Sequence, residues 1–210
     1  MKEIIILLGG DIKLTERLKQ QVANKMVIAA DGGIKHAKSL GIKVDLWVGD
    51  FDSTEEELLL EHIDVKREIF PKEKDKTDGQ IAVQKAIQLG AKKIILVGVT
   101  GGNRFDHSLF HITYLLSLKK SYNIDIMGTD GEVEFYPLVP NEYKFHFPKD
   151  SLFSLITFSD VKALSIKGAY WDLTDRDVKF GDSITLSNKI ISDLVINFKG
   201  GLQLLIIYLV

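Results

Sequence analysis

The sequence predicts an α/β protein: a largely parallel sheet covered by helices, followed by a small antiparallel β domain. Two observations carry this expectation. Over the first 130 or so residues, short β-branched runs alternate with helix-like stretches, the signature of parallel strands joined by crossover helices. After Gly131 strand-like runs follow one another, separated by turn residues, with no helical pattern between them. The expected division is therefore 1–130 for the α/β domain and 131–210 for the β domain. Its boundary lies around Gly128–Pro140, and neither an internal repeat nor a low-complexity linker is visible.

In chain order, Ile4–Leu8, Met26–Ala30, Leu46–Val48, Lys66–Phe70, Lys93–Val97 and Ile124–Met127 are the predicted strands of the first domain. Trp47 lies inside one of them and is assigned to the core. Helix starts are marked twice by capping-box spacing, at Ser53-Thr54-Glu55-Glu56 and at Thr77-Asp78-Gly79-Gln80. Gly90 stands where a left-handed C-terminal cap is needed. In the second domain, Phe153–Phe158, Ala163–Ile166, Ser183–Leu186, Leu194–Phe198 and Leu202–Val210 are predicted strands, and Lys199-Gly200-Gly201 is a predicted hairpin turn.

Composition narrows the function. The chain has 210 residues, 45% hydrophobic and 27% charged, which suits a folded globular protein. Its formal charge is −2, from 27 basic and 29 acidic residues, and it lacks the basic surplus of a nucleic-acid binder. Small molecules are the expected partners. The absence of cysteine excludes disulfides and thiolate metal sites. The apolar run Ile4–Leu8 is too short for a secretory signal, and Leu202–Val210 falls short of the ~20 residues that span a bilayer. The expectation is a cytoplasmic protein without a membrane partner.

The unusual polar residues fall at predicted strand ends. The second strand runs into Ala30-Asp31-Gly32-Gly33 and the third into Gly49-Asp50-Phe51-Asp52-Ser53. The fourth is followed by Lys74-Asp75-Lys76-Thr77-Asp78, the fifth by Gly98-Val99-Thr100-Gly101-Gly102-Asn103-Arg104-Phe105-Asp106-His107. In open α/β sheets the carboxyl ends of the strands are where ligands bind. Carboxylates converging on one rim need a cation, and hard oxygen donors suit Mg²⁺, which bridges one or two carboxylates to substrate phosphates. Glycines let backbone N–H groups approach a phosphate, and Arg104 offers a planar fork for its oxygens. Turn preference alone explains any single cluster, but not four on one edge. His107 and His111 stand at i, i+4 without the glutamate of a zinc-protease motif, and are assigned as a structural pair. The chain contains no GxxxxGK[ST] loop.

These clusters, in this order, resemble the thiamine pyrophosphokinase family. Gly168-Ala169-Tyr170-Trp171-Asp172-Leu173 and Ser187-Asn188 extend the resemblance into the β domain, so that it covers nearly the whole chain. The resemblance implies a C-terminal β-sandwich, a homodimer, and conversion of ATP and thiamine to AMP and thiamine diphosphate. It places Asp50, Asp52 and Asp75 at the magnesium and phosphate site, with Asp78, Arg104 and Asp106 completing the catalytic set. Asp31, Gly32, Gly33, Ser53, Thr77, Gly102 and His107 fall among the expected substrate-binding residues. Trp171, Ser187 and Asn188 resemble a thiamine-binding face supplied by the second subunit. An exposed Trp171 suits a cationic aromatic ring, through stacking and cation–π attraction; core packing is the competing reading. Two rival functions remain. Asp50-Phe51-Asp52-Ser53-Thr54 fits the D-x-D-x-T pattern of haloacid-dehalogenase-type phosphatases, although two strands precede it here where the pattern usually follows the first. The other rival is a non-catalytic nucleotide-binding protein.

Overall fold

The computed structural model describes the chain from Lys2 to Leu209 apart from Ser53, Glu55, Lys72 and Lys74. The chain separates into two compact units, Met1–His111 with Ile124–Gly131, and Ile112–Asn123 with Glu132–Val210.

The first unit is built on β1 (Glu3–Leu7), β2 (Met26–Ala30), β3 (Leu46–Gly49), β4 (Arg67–Ile69), β5 (Lys93–Val97) and β6 (Asp125–Thr129). Every pairing among them is parallel, and the spatial order is β6-β5-β1-β2-β3-β4. In β1, Ile4, Ile5, Ile6 and Leu7 are all buried, as expected where helices cover both faces of a parallel sheet. The helices are α1 (Glu16–Val22), α2 (His36–Leu40), α3 (Glu56–Glu61), α4 (Asp78–Gln88) and α5 (Phe105–Ser121), and α5 passes into the second unit at Ile112. Thr15 caps α1 by accepting from Leu18 N at 3.1 Å. The predicted capping box at Thr77 is present: Thr77 Oγ1 accepts from Gln80 N at 3.2 Å, and Gln80 Oε1 accepts from Thr77 N at 3.1 Å. Of the other predicted box, Ser53 and Glu55 lie outside the described residues, and α3 runs from Glu56. Gly90 is left-handed as expected, with φ +81°.

The second unit contains β7 (Val133–Leu138), β8 (Asn141–Phe145), β9 (Leu152–Thr157), β10 (Val161–Ala169), β11 (Leu173–Val178), β12 (Asn188–Phe198) and β13 (Gln203–Tyr208), all pairing antiparallel. β13 lies between β7 and β9. β12 begins against β9 at Asn188 and Lys189, then continues between β10 and β8. One long strand therefore belongs to both layers. Phe153, Leu155, Leu205 and Ile207 from one layer and Leu164, Ile166, Leu194, Ile196 and Phe198 from the other share one buried cluster, the core of a sandwich.

Two sequence expectations fail here. Ser183–Leu186 forms turns rather than a strand. Lys199-Gly200-Gly201 does not close a hairpin: Lys199 N donates to Lys162 O and Lys162 N to Gly200 O, and the chain then crosses to β13 in the other layer. The sequence also leaves β7, β8 and β11 unmarked. β8 and β11 are largely exposed, so they show no buried apolar face, and β7 carries Pro137 and a buried Glu134.

Candidate active site

The chain adds β2, β3 and β4 on one side of β1, then places β5 on the other. The direction of winding reverses between β1 and β5, and the crevice at such a reversal is where open α/β sheets bind ligands. The loops leaving these two strands run side by side. Leu8 N donates to Val97 O at 2.8 Å, Gly10 N to Gly98 O at 3.2 Å, and Asp11 N to Thr100 O at 2.8 Å. Asp11 Oδ2 then accepts from Gly102 N at 2.7 Å. This close approach demands glycine: a Cβ on Gly10 would lie 2.3 Å from Thr100 O, and one on Gly98 2.7 Å from Leu8 O. A cavity of about 160 Å³ opens here, lined among others by Gly9, Gly10, Gly102, Arg104 and His107. Gly9, Gly10 and Asp11 are thus site residues that the sequence reading passed over. Their signal was the same glycine–aspartate pattern, at the end of the first strand.

The histidines hold this loop pair from beneath. His36 is buried and its Nε2 lies 2.8 Å from Gly10 O; a carbonyl only accepts, so Nε2 carries the proton. By the same argument His111 Nδ1 donates to Val99 O at 3.1 Å. Burial lowers the pKa of both rings, keeping them neutral. The rings of His107 and His111 meet edge to face at 6.3 Å.

Arg104 and Asp106 face each other across two hydrogen bonds, Nε to Oδ1 at 2.9 Å and Nη2 to Oδ2 at 2.7 Å. This fork–fork pair holds the Asp106 carboxyl down at about 2. Both side chains are exposed, so the pair presents a guanidinium at the cavity mouth without burying it.

On the other side of the reversal, Asp31 starts a short 3-10 helix (Asp31–Lys35) with φ +45°. Gly33 is packed so closely on the end of β1 that a Cβ would sit 2.2 Å from Leu7 O, whereas Gly32 has open space. Trp47 is wholly buried, as expected, and its Nε1 donates to Asp31 O at 2.9 Å. Past β3, Asp50 Oδ1 accepts from Asp52 N at 3.2 Å, which brings those two residues together in one turn. Asp75 lies further along, lining a groove of about 560 Å³ with Phe70, Lys76 and Gln84, and Thr77 and Asp78 begin α4. Ser53 lies outside the described residues. Among the described residues, no three His, Asp or Glu side chains are gathered so as to hold a metal ion, and Asp50, Asp52 and Asp75 do not form a set by themselves.

In the second unit Trp171 is 61% exposed and Tyr170 64%, with ring centroids 4.9 Å apart, so core packing does not account for Trp171. Asn188 is buried and clasps its backbone: Asn188 Nδ2 donates to Trp171 O at 2.8 Å, and Oδ1 accepts from Trp171 N at 3.1 Å. Ser187, at φ +56°, donates its N–H to Ser154 Oγ at 3.0 Å. Asn188 is therefore a support for the exposed ring, with its own amide already engaged.

Two family models match the chain. Residues 18–127 match the family model described as thiamin pyrophosphokinase, catalytic domain, and residues 142–202 match that of the thiamin pyrophosphokinase vitamin B1 binding domain. Thiamine pyrophosphokinase of Bacillus subtilis (strain 168) is 29% identical over 197 residues, covering 91% of each chain. The crystal structure of thiamine pyrophosphokinase from Bacillus subtilis is similar with a TM-score of 0.89, at 27% identity over 99% of both chains. That of the Geobacillus thermodenitrificans protein gives 0.82 at 25% identity, over 99% of this chain and 97% of the other. Thiamin pyrophosphokinase from Candida albicans, 14% identical, shares the fold with a TM-score of 0.82 over 98% of this chain and 90% of its own.

Proposed function

The chain belongs to the thiamin pyrophosphokinase family, and we propose that its residues transfer the pyrophosphoryl group of ATP to the hydroxyl of thiamine, giving AMP and thiamine diphosphate. The observation that carries the residue assignments is the paired glycine loops at the β1/β5 reversal, with the Arg104 fork at their mouth. In this reaction the thiamine oxygen forms a bond to the β-phosphorus, and the bond from that phosphorus to the bridging oxygen of the AMP moiety breaks. The hydroxyl proton passes to the carboxylate rim.

The chain's part is positioning and electrostatics, as in phosphoryl transfer generally. The N–H groups of Gly10 and Gly102 tie the glycine loops together, and the phosphates approach the backbone that these loops and the Asp31-Gly32-Gly33 turn leave uncovered by side chains. Arg104, held by Asp106 through Nε and Nη2, turns its remaining guanidinium edge to the developing charge. Thr77 and Asp78 order the start of α4 beside them, and His107 lines the same cavity. The donor set is entirely carboxylate oxygen, which fits Mg²⁺ completed by water and phosphate oxygens. Asp50, Asp52 and Asp75 would hold that ion, and it would neutralise the triphosphate.

Trp171, supported by Asn188 and flanked by Ser187, offers its exposed face to the thiazolium ring. In our reading this face serves the site of a second subunit in a homodimer, and the enzyme works in the cytoplasm, where ATP is available. The phosphatase alternative is not favoured, because Asp50 follows the third strand and both units match the same family.

Incubation with ATP, Mg²⁺ and thiamine, followed by product identification, tests the activity; inorganic phosphate with an aspartyl-phosphate intermediate would refute it. Asp50→Asn or Asp52→Asn removes one charge at nearly constant shape and should lower turnover at least ~100-fold. Turnover near the parent's in either folded variant would refute the metal assignment.

A further inference from the structure

We propose that Arg67 is a positioning residue for the Asp50-Phe51-Asp52 turn, setting its two carboxylates by clamping the ring of Phe51. The inference rests on the reading of that turn as part of the phosphate-donor site.

Phe51 has φ +61°, in the left-handed region that a bulky side chain rarely adopts. Such a conformation persists only where the surroundings hold it. What holds it is a stack of three side chains. The Phe51 ring meets Trp47 edge to face at 4.8 Å. The Arg67 guanidinium lies 5.2 Å from the Trp47 ring centroid and 6.0 Å from that of Phe51, within cation–π range of both. Arg67 Nη2 donates to Leu59 O at 2.7 Å, which fixes the guanidinium against α3.

The clamp reaches two strand-end loops at once. Trp47 Nε1 holds the carbonyl of Asp31, and Phe51 sits between Asp50 and Asp52, so displacement of its ring moves both carboxylates. Arg67 Nε is buried with no partner among the described residues. The guanidinium is therefore placed by its Nη2 bonds to Leu59 O and His62 O at one edge and by the two aromatic rings beside it, not by a bond from Nε. A planar, delocalised cation is required, and lysine lacks the fork and the stacking surface.

The test compares Arg67→Met, Phe51→Leu and the double variant with the parent. The readouts are calorimetric titration with a non-hydrolysable ATP analogue in the presence of Mg²⁺, steady-state kinetics, and thermal unfolding. In Arg67→Met the analogue should bind roughly three- to thirtyfold more weakly, with a parallel rise in KM for ATP and an unchanged KM for thiamine. Phe51→Leu should show a similar loss, and the double variant should be no worse than the weaker single one, as expected for groups acting as one unit. Parental analogue affinity in Arg67→Met, or losses that simply add, overturns the proposal. Should Arg67→Met fail to fold, Arg67→Lys decides by the same criteria, since it keeps stem and charge but not the plane. Product identification with the parent separately decides the reading on which the inference rests.

Discussion

Gly32 and Gly33 are adjacent, but the structure gives alanine at each position opposite consequences. At Gly33 a methyl group would lie 2.2 Å from Leu7 O and 2.6 Å from Leu7 C. Ordinary contact is about 3.5 Å, so a shift of roughly 1 Å is needed. Leu7 cannot supply it: it is fully buried and paired on both sides, with Ala29 of β2 and Val97 of β5. The short helix must therefore lift off the sheet. Overpacking costs about 1–3 kcal/mol, and a backbone obstacle puts this case at the upper end. About 3 kcal/mol corresponds to a fall of roughly 6–12 °C in Tm for a chain of this size. At Gly32 nothing lies within 4 Å of the added methyl group. Gly32→Ala should leave Tm unchanged or slightly raised, because alanine costs the unfolded chain about 0.4–1 kcal/mol of conformational freedom. If the Gly32 backbone approaches phosphate, the same methyl group raises KM for ATP with no loss of stability. Tryptophan fluorescence is a suitable probe: Trp47 is wholly buried while Trp171 is already exposed, so the emission shift reports chiefly on the first unit. A Gly33→Ala protein that melts with the parent would refute the packing argument, and a Gly32→Ala protein with parental ATP kinetics would remove Gly32 from the phosphate rim.

Three further outcomes are expected. Trp171→Ala should raise KM for thiamine roughly threefold to thirtyfold. An exposed side chain contributes little to stability, so Tm should move by no more than about 1–2 °C; a large drop would show that the ring is structural. NMR titration should place the Asp106 midpoint at about 2, and Arg104→Gln should return it towards the ordinary carboxylate range; a parental midpoint near 4 would mean that the fork–fork pair does not form. Because burial lowers the pKa of His36 and His111 in the folded state, the unfolded chain takes up protons first as pH drops below about 6.5. Stability should therefore fall from that pH downwards until the folded-state values are passed. His36→Gln, which retains a donor for Gly10 O, should flatten part of the slope; Tm values unaffected by pH between 7 and about 5 would refute the buried, neutral assignment.

By itself the sequence determined those features that depend on local burial and local hydrogen bonding. Strands such as Lys93–Val97 stood out because a parallel strand covered on both faces is apolar throughout. The Thr77–Gln80 capping box is complete within four residues, and the clusters from Asp31 to His107 could be placed because each follows a legible strand. Only the tertiary structure decided which strand ends become neighbours. Nothing in Lys93–Val97 says that it pairs with β1 rather than with β4, yet that choice creates the reversal and joins Gly9-Gly10-Asp11 to Gly98–Gly102. The same holds for β12, whose length lets it serve two layers, and for Lys199-Gly200-Gly201, which leads to the opposite layer instead of folding back. It holds also for Arg67, an unremarked cation in a short strand until Trp47 and Phe51 close around it. Periodicity records how each residue is buried. Strand order and side-chain clusters depend on contacts between segments far apart in sequence, and these arise only when the chain folds onto itself.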